Sequence, residues 1–355
     1  MPNRKLRLIL ASLFILACQI PSVPSLPALS TGSGQGADNP QGPATLIVPA
    51  DLNATPTPFL PLDPTALALT PTPIPTPPWR NFPGPSVPPS IAVPPPVPLL
   101  VQPVGQVSFL LLGSDQRPED GGYRTDTILL VTLNAKLGTA SITSFPRDLY
   151  VYIPGWTMQR INTAQPHGGF PIMQDTFEYN FGVRPDHYAL INFWSFTQVI
   201  DSLGGIDVNV AQPLTDHRDK HGDYTVNAGN VHMDGETALW YVRSRSSTSD
   251  FDRARRQQEV LLAIFFRLIS INGITRAPEL YDLYKNNAET DLIFSDLTPF
   301  LALASQLAND PSLIHTYAIG PAEVSPFTVP DSGAAVLLPD YDLITALLKQ
   351  ALHVP

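Results

Sequence analysis

The stretch from Phe109 to Pro154 constrains the fold of this 355-residue chain more than any other part of it. It holds three short apolar runs, FLLL, TILLVTL and ASITSF, whose β-branched and aromatic residues are typical of strands. Residues Asn134 to Gly138 separate the second run from the third, and this spacing predicts a hairpin turn. The stretch is therefore expected to supply neighbouring strands of one sheet.

Charged residues stand at the ends of these predicted strands. Two follow the first strand, two precede the second and two follow the third, and these six residues are Asp115, Arg117, Arg124, Asp126, Arg147 and Asp148. If the strands are neighbours, two of the charge groups can meet at one edge of the sheet. Arginines and aspartates gathered at such an edge indicate a site for an anion and a metal ion.

A second arginine-rich segment runs from Tyr241 to Leu261. Alternation and helical spacing allow five of its residues to face one site, and these are Arg243, Arg245, Asp250, Arg253 and Gln257. Arg256 is expected on the same side of the helix, whereas Arg255 points elsewhere. The alternative interpretation is a solvated helix start with surface salt bridges.

The charge balance limits the class of partner. The chain has a formal net charge of −10, which argues against a nucleic-acid binder of the usual basic kind. After residue 103 the chain has 17 Lys and Arg residues, and 13 of them are Arg. Arginine grips phosphate oxygens with two parallel hydrogen bonds. Arginines concentrated in an acidic domain indicate one local anion site.

Residues 104–355 have the proportions of a single α/β domain, because predicted strands and helices alternate along them. The expected architecture is a three-layer α/β/α arrangement around a central mixed sheet. Helical patterns in its first two thirds cover residues 172–181, 193–205, 235–241 and 251–269.

Residues 1–20 have the pattern of an export signal. A basic start (Arg4, Lys5 and Arg7) precedes the apolar run from Leu8 to Ala17, which is shorter than the roughly 20 residues needed to span a bilayer. The single cysteine, Cys18, follows in a sequence that resembles a bacterial lipobox. We therefore expect a lipid-anchored lipoprotein; a plain cleaved signal and a short uncleaved anchor are the alternatives.

Residues 21–103 are expected to form a disordered tether. More than half of the 40 prolines of the chain lie in this segment, together with Thr, Ser and small apolar residues. Proline lacks a backbone donor and fixes φ, so such a segment forms neither helix nor central strand. It is predicted to be semi-rigid where proline is dense.

Several motifs, taken in order, resemble the LytR–CpsA–Psr family of bacterial envelope enzymes. They are GSDQR, YRTDTILLVTLN, SFPRDLYVYIPG, RINTAQPHGG, INFWSFTQVIDSLGGIDVNV, HMDGETALWYVRSR and DFDRARRQQ, and they lie between Val107 and Leu268. The resemblance implies an α/β/α phosphotransferase that moves a glycopolymer from a polyprenyl-pyrophosphate carrier to the cell wall, usually to peptidoglycan, with Mg²⁺ assistance. It also implies a location outside the cytoplasm, which with the lipid anchor would be the outer face of the cell membrane.

The resemblance implies roles for individual residues. Asp115 and Asp126 match the carboxylates that hold the metal, a role that suits the preference of Mg²⁺ for one or two carboxylates plus phosphate oxygens. The residues matching those around the pyrophosphate are Arg117, Arg124, Arg147, Arg243, Arg245, Arg253 and Gln257. Asp148 or Asp250 would take the proton of the acceptor hydroxyl. The apolar residues that would line a lipid tunnel, or else form ordinary core, are Phe193, Trp194, Phe196, Val199, Ile200 and Leu203.

One position departs from the family pattern, because Asp252 stands where a glycine is common before the helix arginine. This carboxylate would weaken phosphate binding or simply face solvent. Two alternative functions remain open: a hydrolase of polyprenyl pyrophosphates, with water as acceptor, and a non-catalytic envelope protein that binds the lipid carrier. A transcription regulator is disfavoured by the export signal, the acidic domain and the lack of a DNA-reading motif.

Overall fold

A computed structural model describes residues 80–116, 123–245 and 247–354, and its centre is a β-sheet covered by helices. The strands of the described residues are β1 (Gln106–Ser114), β2 (Thr125–Asn134), β3 (Thr139–Ser144), β4 (Tyr150–Tyr152), β5 (Met158–Arg160), β6 (His187–Asn192), β7 (Ile206–Val210), β8 (Leu214–Arg218), β9 (Gly222–Val226), β10 (Gly229–Met233), β11 (Glu289–Thr290), β12 (Ile314–Ala318), β13 (Val324–Thr328) and β14 (Ala335–Pro339). The helices are α1 (Ala164–Phe181), α2 (Phe193–Ser202), α3 (Gly235–Arg243), α4 (Asp250–Ser270), α5 (Ala277–Tyr284), α6 (Phe294–Leu297), α7 (Leu301–Asn309) and α8 (Tyr341–Ala351).

The central sheet has six strands in the order β11-β6-β1-β2-β3-β12. β1 pairs with β2 and β2 with β3 in antiparallel fashion, whereas β1 and β6 are parallel, as are β3 and β12. The remaining described strands form two-stranded pairs. The predicted mixed sheet is therefore confirmed.

Each face of the sheet is covered, because successive side chains of a strand point to opposite faces. Leu110 and Leu112 of β1 belong to a core that includes Phe177 of α1 and Leu348 of α8. On the opposite face, Phe109 packs against Phe300 and the helix α7 that follows it. The predicted three-layer α/β/α class is confirmed.

The turn between β2 and β3 is the predicted hairpin. Gly138 donates its N–H to the carbonyl oxygen of Asn134 at 2.9 Å, and it has a φ of +71°. A side chain at Gly138 would also meet the amide of Gln306, whose Nε2 would lie 2.5 Å from a Cβ atom. Glycine is required here by both conformation and space.

Side-chain caps stabilise the first turns of three helices, α2, α3 and α4, that contribute residues to the site described below. Asn192 Oδ1 accepts from Ser195 N at 2.9 Å at the start of α2, and Asp234 Oδ1 accepts from Thr237 N at 2.8 Å at the start of α3. Ser249 Oγ accepts from Asp252 N at 3.1 Å and caps α4. Such caps satisfy backbone donors that have no partner within the helix.

Two helices differ from their predicted bounds. α1 begins at Ala164, eight residues before the predicted start, and it bends at Gly168 and Gly169, where the backbone is not helical. α2 ends at Ser202, because Gly204 and Gly205 adopt positive φ values of 74° and 84°. Glycines at a helix end favour this left-handed turn.

Residues 80–103, which the sequence analysis assigned to the tether, lie against the domain. The hydroxyl of Tyr152 donates to the carbonyl oxygen of Pro83 at 2.6 Å, and the hydroxyl of Tyr179 donates to that of Pro94 at 2.7 Å. Leu100 N donates to the carbonyl oxygen of Gly182 at 2.8 Å. These residues thus contact the domain through their backbone, because proline carbonyls still accept hydrogen bonds although proline donates none.

The N-terminal features of the sequence lie outside the described residues. These are the predicted signal with Cys18 and the tether up to residue 79. Among the helices that the structure describes, none combines the length and the apolar character that a membrane crossing requires.

Alkaline pH is expected to weaken the sheet edge formed by β6 and β11. Burial, together with the hydrogen bond from its hydroxyl to Glu289 at 3.0 Å, raises the pKa of Tyr188 to about 12. The folded state therefore holds this proton more tightly than the unfolded state does. The stabilisation is complete below pH 10, the ordinary value, and is lost as pH rises toward about 12. Urea unfolding at several pH values between 10 and about 12 should show that the free energy of unfolding falls as pH rises. It should fall less with pH in Tyr188→Phe than in the wild-type protein. An equal fall in both proteins would contradict the assignment.

Candidate active site

A cavity of about 710 Å³ lies between the sheet and helices α2, α3 and α4. One part of its wall is charged and the rest is apolar. Among the described residues, the charged and polar side chains at this wall that the sequence analysis named are Asp115, Arg124, Asp126, Arg147, Arg243, Arg245, Arg253 and Gln257. The two arginine-rich stretches, more than ninety residues apart in sequence, therefore meet in one cavity.

The first stretch supplies its charges from strand ends that share one edge of the sheet. Because β2 is antiparallel to both neighbours, its start lies beside the end of β1 and the end of β3. Asp115 after β1 accepts hydrogen bonds from the backbone N of Arg124 at 2.6 Å and from its Nη2 at 3.4 Å. Asp126 of β2 is joined to Arg147, which follows β3, at 2.6 Å. All three predicted charge groups thus converge.

Arg147 is the centre of a network of carboxylates. Its Nη1 donates to Asp126 Oδ2, and its Nε lies 3.5 Å from the carboxylates of both Asp148 and Asp250. The side chain is only 13% exposed. Burial opposes the charged form, but the attraction of Asp126, Asp250 and Asp148 outweighs it and raises the pKa of Arg147. The guanidinium is therefore fixed in position and remains charged.

Asn162 supports the same network. The side-chain Nδ2 of Asn162 donates to Asp126 Oδ1 at 3.2 Å. The backbone carbonyl oxygen of Asn162 accepts from the hydroxyl of Thr125 at 3.2 Å. Both oxygens of Asp126 are thus oriented, one by an amide and one by a guanidinium. Asn162 lies in the RINTAQPHGG motif, but neither its residue type nor its spacing marked it as a site residue.

The second stretch enters the cavity from the end of α3 and the start of α4. Arg253 is 7% exposed, and its Nη2 lies 3.4 Å from Asp250 Oδ2. Burial lowers the pKa of Arg253, and repulsion from Arg147 contributes to the decrease although Asp250 opposes it. Arginine stays protonated in proteins, so this guanidinium is only partly compensated. An anion in the cavity would supply the missing charge.

The apolar part of the wall comes from strands β1, β2 and β6 and from helices α2, α3 and α4. Phe193, Phe196 and Val199 lie at helical spacing and face the cavity. Of the other candidates for a lipid tunnel, Ile200 and Leu203 are buried away from the cavity wall, and Trp194 is 68% exposed. Phe193 also contacts the charged part, because Arg243 Cζ lies 4.1 Å from its ring centroid, a cation–π contact.

The two candidate general bases lie beside Arg147 and are not part of the cavity wall as described. Asp148 pairs with both Arg147 and Arg160, whose Nε lies 3.2 Å from Asp148 Oδ1. Asp250 pairs with Arg147 and Arg253. Their catalytic role stays a prediction. Arg117, the remaining predicted ligand of the pyrophosphate, lies outside the described residues.

Arg256 was expected on the ligand-facing side of α4, but the structure buries its side chain completely. It donates to the carbonyl oxygens of Tyr241 and Ser244 and, at 3.0 Å, to the hydroxyl of Thr248. Asp252 neither faces open solvent nor enters the cavity, since it pairs with Arg255 and Arg256. Together these residues hold the segment that carries Arg243 and Arg245.

We expect Arg256→Leu to lower the free energy of unfolding by about 3–5 kcal/mol, the typical cost of breaking a buried charge pair. The substitution removes one of the two arginine partners of Asp252 and the donor to two buried carbonyl groups. Urea denaturation measures the effect. The matched control is Arg276→Leu, because that arginine forms an exposed pair with Glu279, and exposed pairs contribute little to stability. Equal losses in the two variants would show that Arg256 has no structural role.

Comparison with known proteins agrees with this fold and cavity. The family model described as "LytR_cpsA_psr family" matches residues 91–323. The polyisoprenyl-teichoic acid–peptidoglycan teichoic acid transferase TagU of Oceanobacillus iheyensis is 36% identical over 203 residues, which are 55% of this chain and 62% of that relative. The chain therefore spans less than two thirds of the length of this curated relative.

Solved structures agree over most of the domain. The crystal structure of B. subtilis TagV aligns with a TM-score of 0.59 and 27% identity, covering 70% of this chain and 98% of that one. A structure of TagT bound to LIIa-WTA aligns with a TM-score of 0.54 and 27% identity, covering 71% of this chain and 92% of that one. With a family match over more than half of its residues, the chain belongs to the LytR_cpsA_psr family.

Proposed function

We propose that this protein transfers a glycopolymer from a polyprenyl-pyrophosphate carrier to the cell wall, with peptidoglycan as the acceptor. The observation that carries the proposal is the single cavity with a charged and an apolar part. A polyprenyl pyrophosphate has the same two parts, an anionic group joined to a long apolar chain. The similarity to transferases of polyisoprenyl-linked teichoic acid supports the same substrate class.

The pyrophosphate would bind among the arginines. Five arginines line the described cavity wall, against two aspartates. Arg147 is already oriented by three carboxylates, so it would meet a phosphate without further ordering. Arg253 is buried and incompletely compensated, which favours an anionic ligand over an empty cavity. Preorganised positive charge of this kind stabilises the charge that spreads over a transferring phosphoryl group.

The residues present suit a magnesium ion. Asp115 and Asp126 both face the cavity, and no group of three or more His, Cys, Asp or Glu side chains with metal-binding geometry occurs among the described residues. Mg²⁺ commonly takes one or two carboxylates and completes its coordination with substrate phosphate oxygens and water, as this donor set would allow. When bound, the ion would neutralise phosphate charge.

The reaction would be an in-line displacement at phosphorus. The hydroxyl oxygen of the acceptor sugar forms a bond to the phosphorus that carries the glycan, the bond to the bridging oxygen breaks, and polyprenyl phosphate leaves. The hydroxyl proton passes to a carboxylate, for which Asp148 and Asp250 are the candidates. The arginines hold both phosphates in line, and Phe193, Phe196 and Val199 hold the start of the lipid chain.

The test is a transfer assay with the purified full-length protein. We would incubate it with a polyprenyl-pyrophosphate oligosaccharide, Mg²⁺ and peptidoglycan fragments and identify the products by mass spectrometry. A covalent glycan–peptidoglycan adduct is the expected result. Release of polyprenyl phosphate and free glycan phosphate, with water as the only acceptor, would indicate a hydrolase. Lipid binding without turnover would indicate a carrier-binding protein.

We also propose that the domain is anchored to the outer face of the cell membrane through Cys18. The lipobox-like sequence before this cysteine is the support for that assignment. In a bacterial host that processes lipoproteins, the wild-type protein should partition into detergent, and Cys18→Ala should move into the aqueous phase. Detergent partitioning of both proteins would favour an uncleaved apolar anchor instead.

A further inference from the structure

A second, smaller cavity lies beside the charged one, at the carboxyl ends of the parallel strands β1 and β6. Its volume is about 300 Å³, and it shares Asn192 and Ala288 with the larger cavity. Most of its described wall is polar, from Ser114, Gln116, Asn192, Ser195, Asn287 and Glu289. Ligands of open α/β sheets commonly bind outside the carboxyl ends of parallel strands.

Several groups at this wall have hydrogen-bonding capacity that the described residues do not use. Ser195 is 7% exposed, yet its hydroxyl makes no hydrogen bond within the described part of the chain. Asn192 Oδ1 accepts from Ser195 N as the helix cap, which leaves Asn192 Nδ2 without a partner there. The amide of Gln116 is exposed and makes no hydrogen bond to a described residue. Buried polar groups such as the Ser195 hydroxyl normally find partners, and the Gln116 and Asn192 amides offer further donors, so this wall suits a polar ligand.

Ser114 places the small cavity next to the reacting phosphates. It is 1% exposed, and its hydroxyl has no partner among the described residues. The pairing of β1 with β2 is irregular between Gly113 and Ser114, and irregularities of this kind re-aim side chains near active sites. The next residue, Asp115, faces the charged cavity. Ser114 therefore lines the small cavity and the next residue, Asp115, lines the large one.

The chemistry of the wall selects a neutral, hydroxyl-rich ligand. Serine, asparagine and glutamine each supply donors and acceptors, as hydroxyl groups require. None of the described residues at this wall is a lysine or arginine, and Glu289 is acidic. The wall therefore disfavours an anion. The volume lies at the lower end of the 300–1,000 Å³ typical of ligand sites, about enough for one sugar ring.

We propose that the small cavity is a saccharide subsite that holds the sugar ring nearest to the transferred phosphate. The inference rests on the proposed function and adds a position for the sugar. That ring belongs either to the donor glycan, attached to the phosphate, or to the acceptor, whose hydroxyl attacks it. Both are neutral rings with several hydroxyl groups, so the same wall would recognise either.

The test uses the full-length double variant Gln116→Ala/Ser195→Ala. The matched control is Ser270→Ala/Gln350→Ala, which removes the same groups from exposed helix positions outside both cavities. Thermal unfolding would establish that both variants fold. If the double variant does not fold, the single variant Gln116→Ala replaces it, because Gln116 is exposed. Calorimetry measures the affinity for polyprenyl pyrophosphate and the affinity for its disaccharide conjugate. The transfer assay measures the KM for a peptidoglycan disaccharide fragment.

A donor subsite predicts about a tenfold loss of affinity for the conjugate, the effect of one or two lost hydrogen bonds, with unchanged affinity for the bare lipid. An acceptor subsite predicts unchanged donor affinities and about a tenfold rise in KM for the fragment. No change in any of the three quantities would overturn the subsite. Failure of the wild-type protein to bind polyprenyl pyrophosphate would instead overturn the proposed function.

Discussion

Asp126→Ala is expected to lower kcat/KM for glycan transfer by about 10²–10³-fold or more, the cost of removing one preorganised electrostatic group. The carboxylate has two functions in the proposed site. It would hold the metal together with Asp115, and it receives the hydrogen bond from Arg147 at 2.6 Å. Its loss would therefore remove the proposed metal ligand and one of the three carboxylates that orient Arg147. The mass-spectrometric transfer assay measures the effect.

The matched control is Asp219→Ala, because that side chain is fully exposed on the hairpin between β8 and β9. It should retain wild-type activity. Thermal unfolding of Asp126→Ala should show a folded protein, since the side chain is 23% exposed and Arg147 keeps two further carboxylates. Full activity in a folded Asp126→Ala protein would refute the site assignment.

Arg147→Lys is expected to reduce kcat/KM by a similar factor of about 10²–10³ while leaving the fold intact. Lysine keeps the positive charge among Asp126, Asp148 and Asp250 but cannot reproduce the planar fork of the guanidinium. The three carboxylates would keep a cationic partner, whereas the bidentate hydrogen bonds to a phosphate would be lost. Arg147→Ala should abolish transfer and also destabilise the domain, since three carboxylates would lose their common cation.

Comparing the two substitutions separates charge from geometry. If Arg147→Lys transfers glycan at the wild-type rate, Arg147 acts only through its charge. If Arg147→Ala does so, the residue has no part in the reaction. Arg276→Lys, at an exposed ion pair, is the control for general effects of the exchange.

Local patterns were sufficient to predict the strands and the convergence of their charged ends. Short β-branched runs joined by the Asn134–Gly138 turn imply antiparallel neighbours, and antiparallel neighbours bring alternate strand ends to one edge. Helical spacing likewise placed Arg253 and Gln257 on one face of α4, and both line the cavity. These features depend on residues close in sequence, whose relative positions the backbone geometry fixes.

Other features required contacts between distant residues. Spacing along α4 could not separate Arg253 from Arg256, yet one lines the cavity and the other is buried against the carbonyl groups of Tyr241 and Ser244. Proline content could not show that residues 80–103 pack on the domain, because that depends on hydroxyl groups of Tyr152 and Tyr179. Nor did any motif indicate the small polar cavity, whose wall comes from three separate segments.

The sequence by itself determined the kinds of elements, the sheet edge at which the charges gather, and the family to which the chain belongs. Only the tertiary structure decided which arginine faces the ligand and which supports the fold, and that Asp148 and Asp250 lie beside Arg147 outside the described cavity wall. The physical reason is that periodicity specifies a direction around one helix or strand. Burial, by contrast, depends on what packs there, and in this protein the partners come from distant parts of the chain.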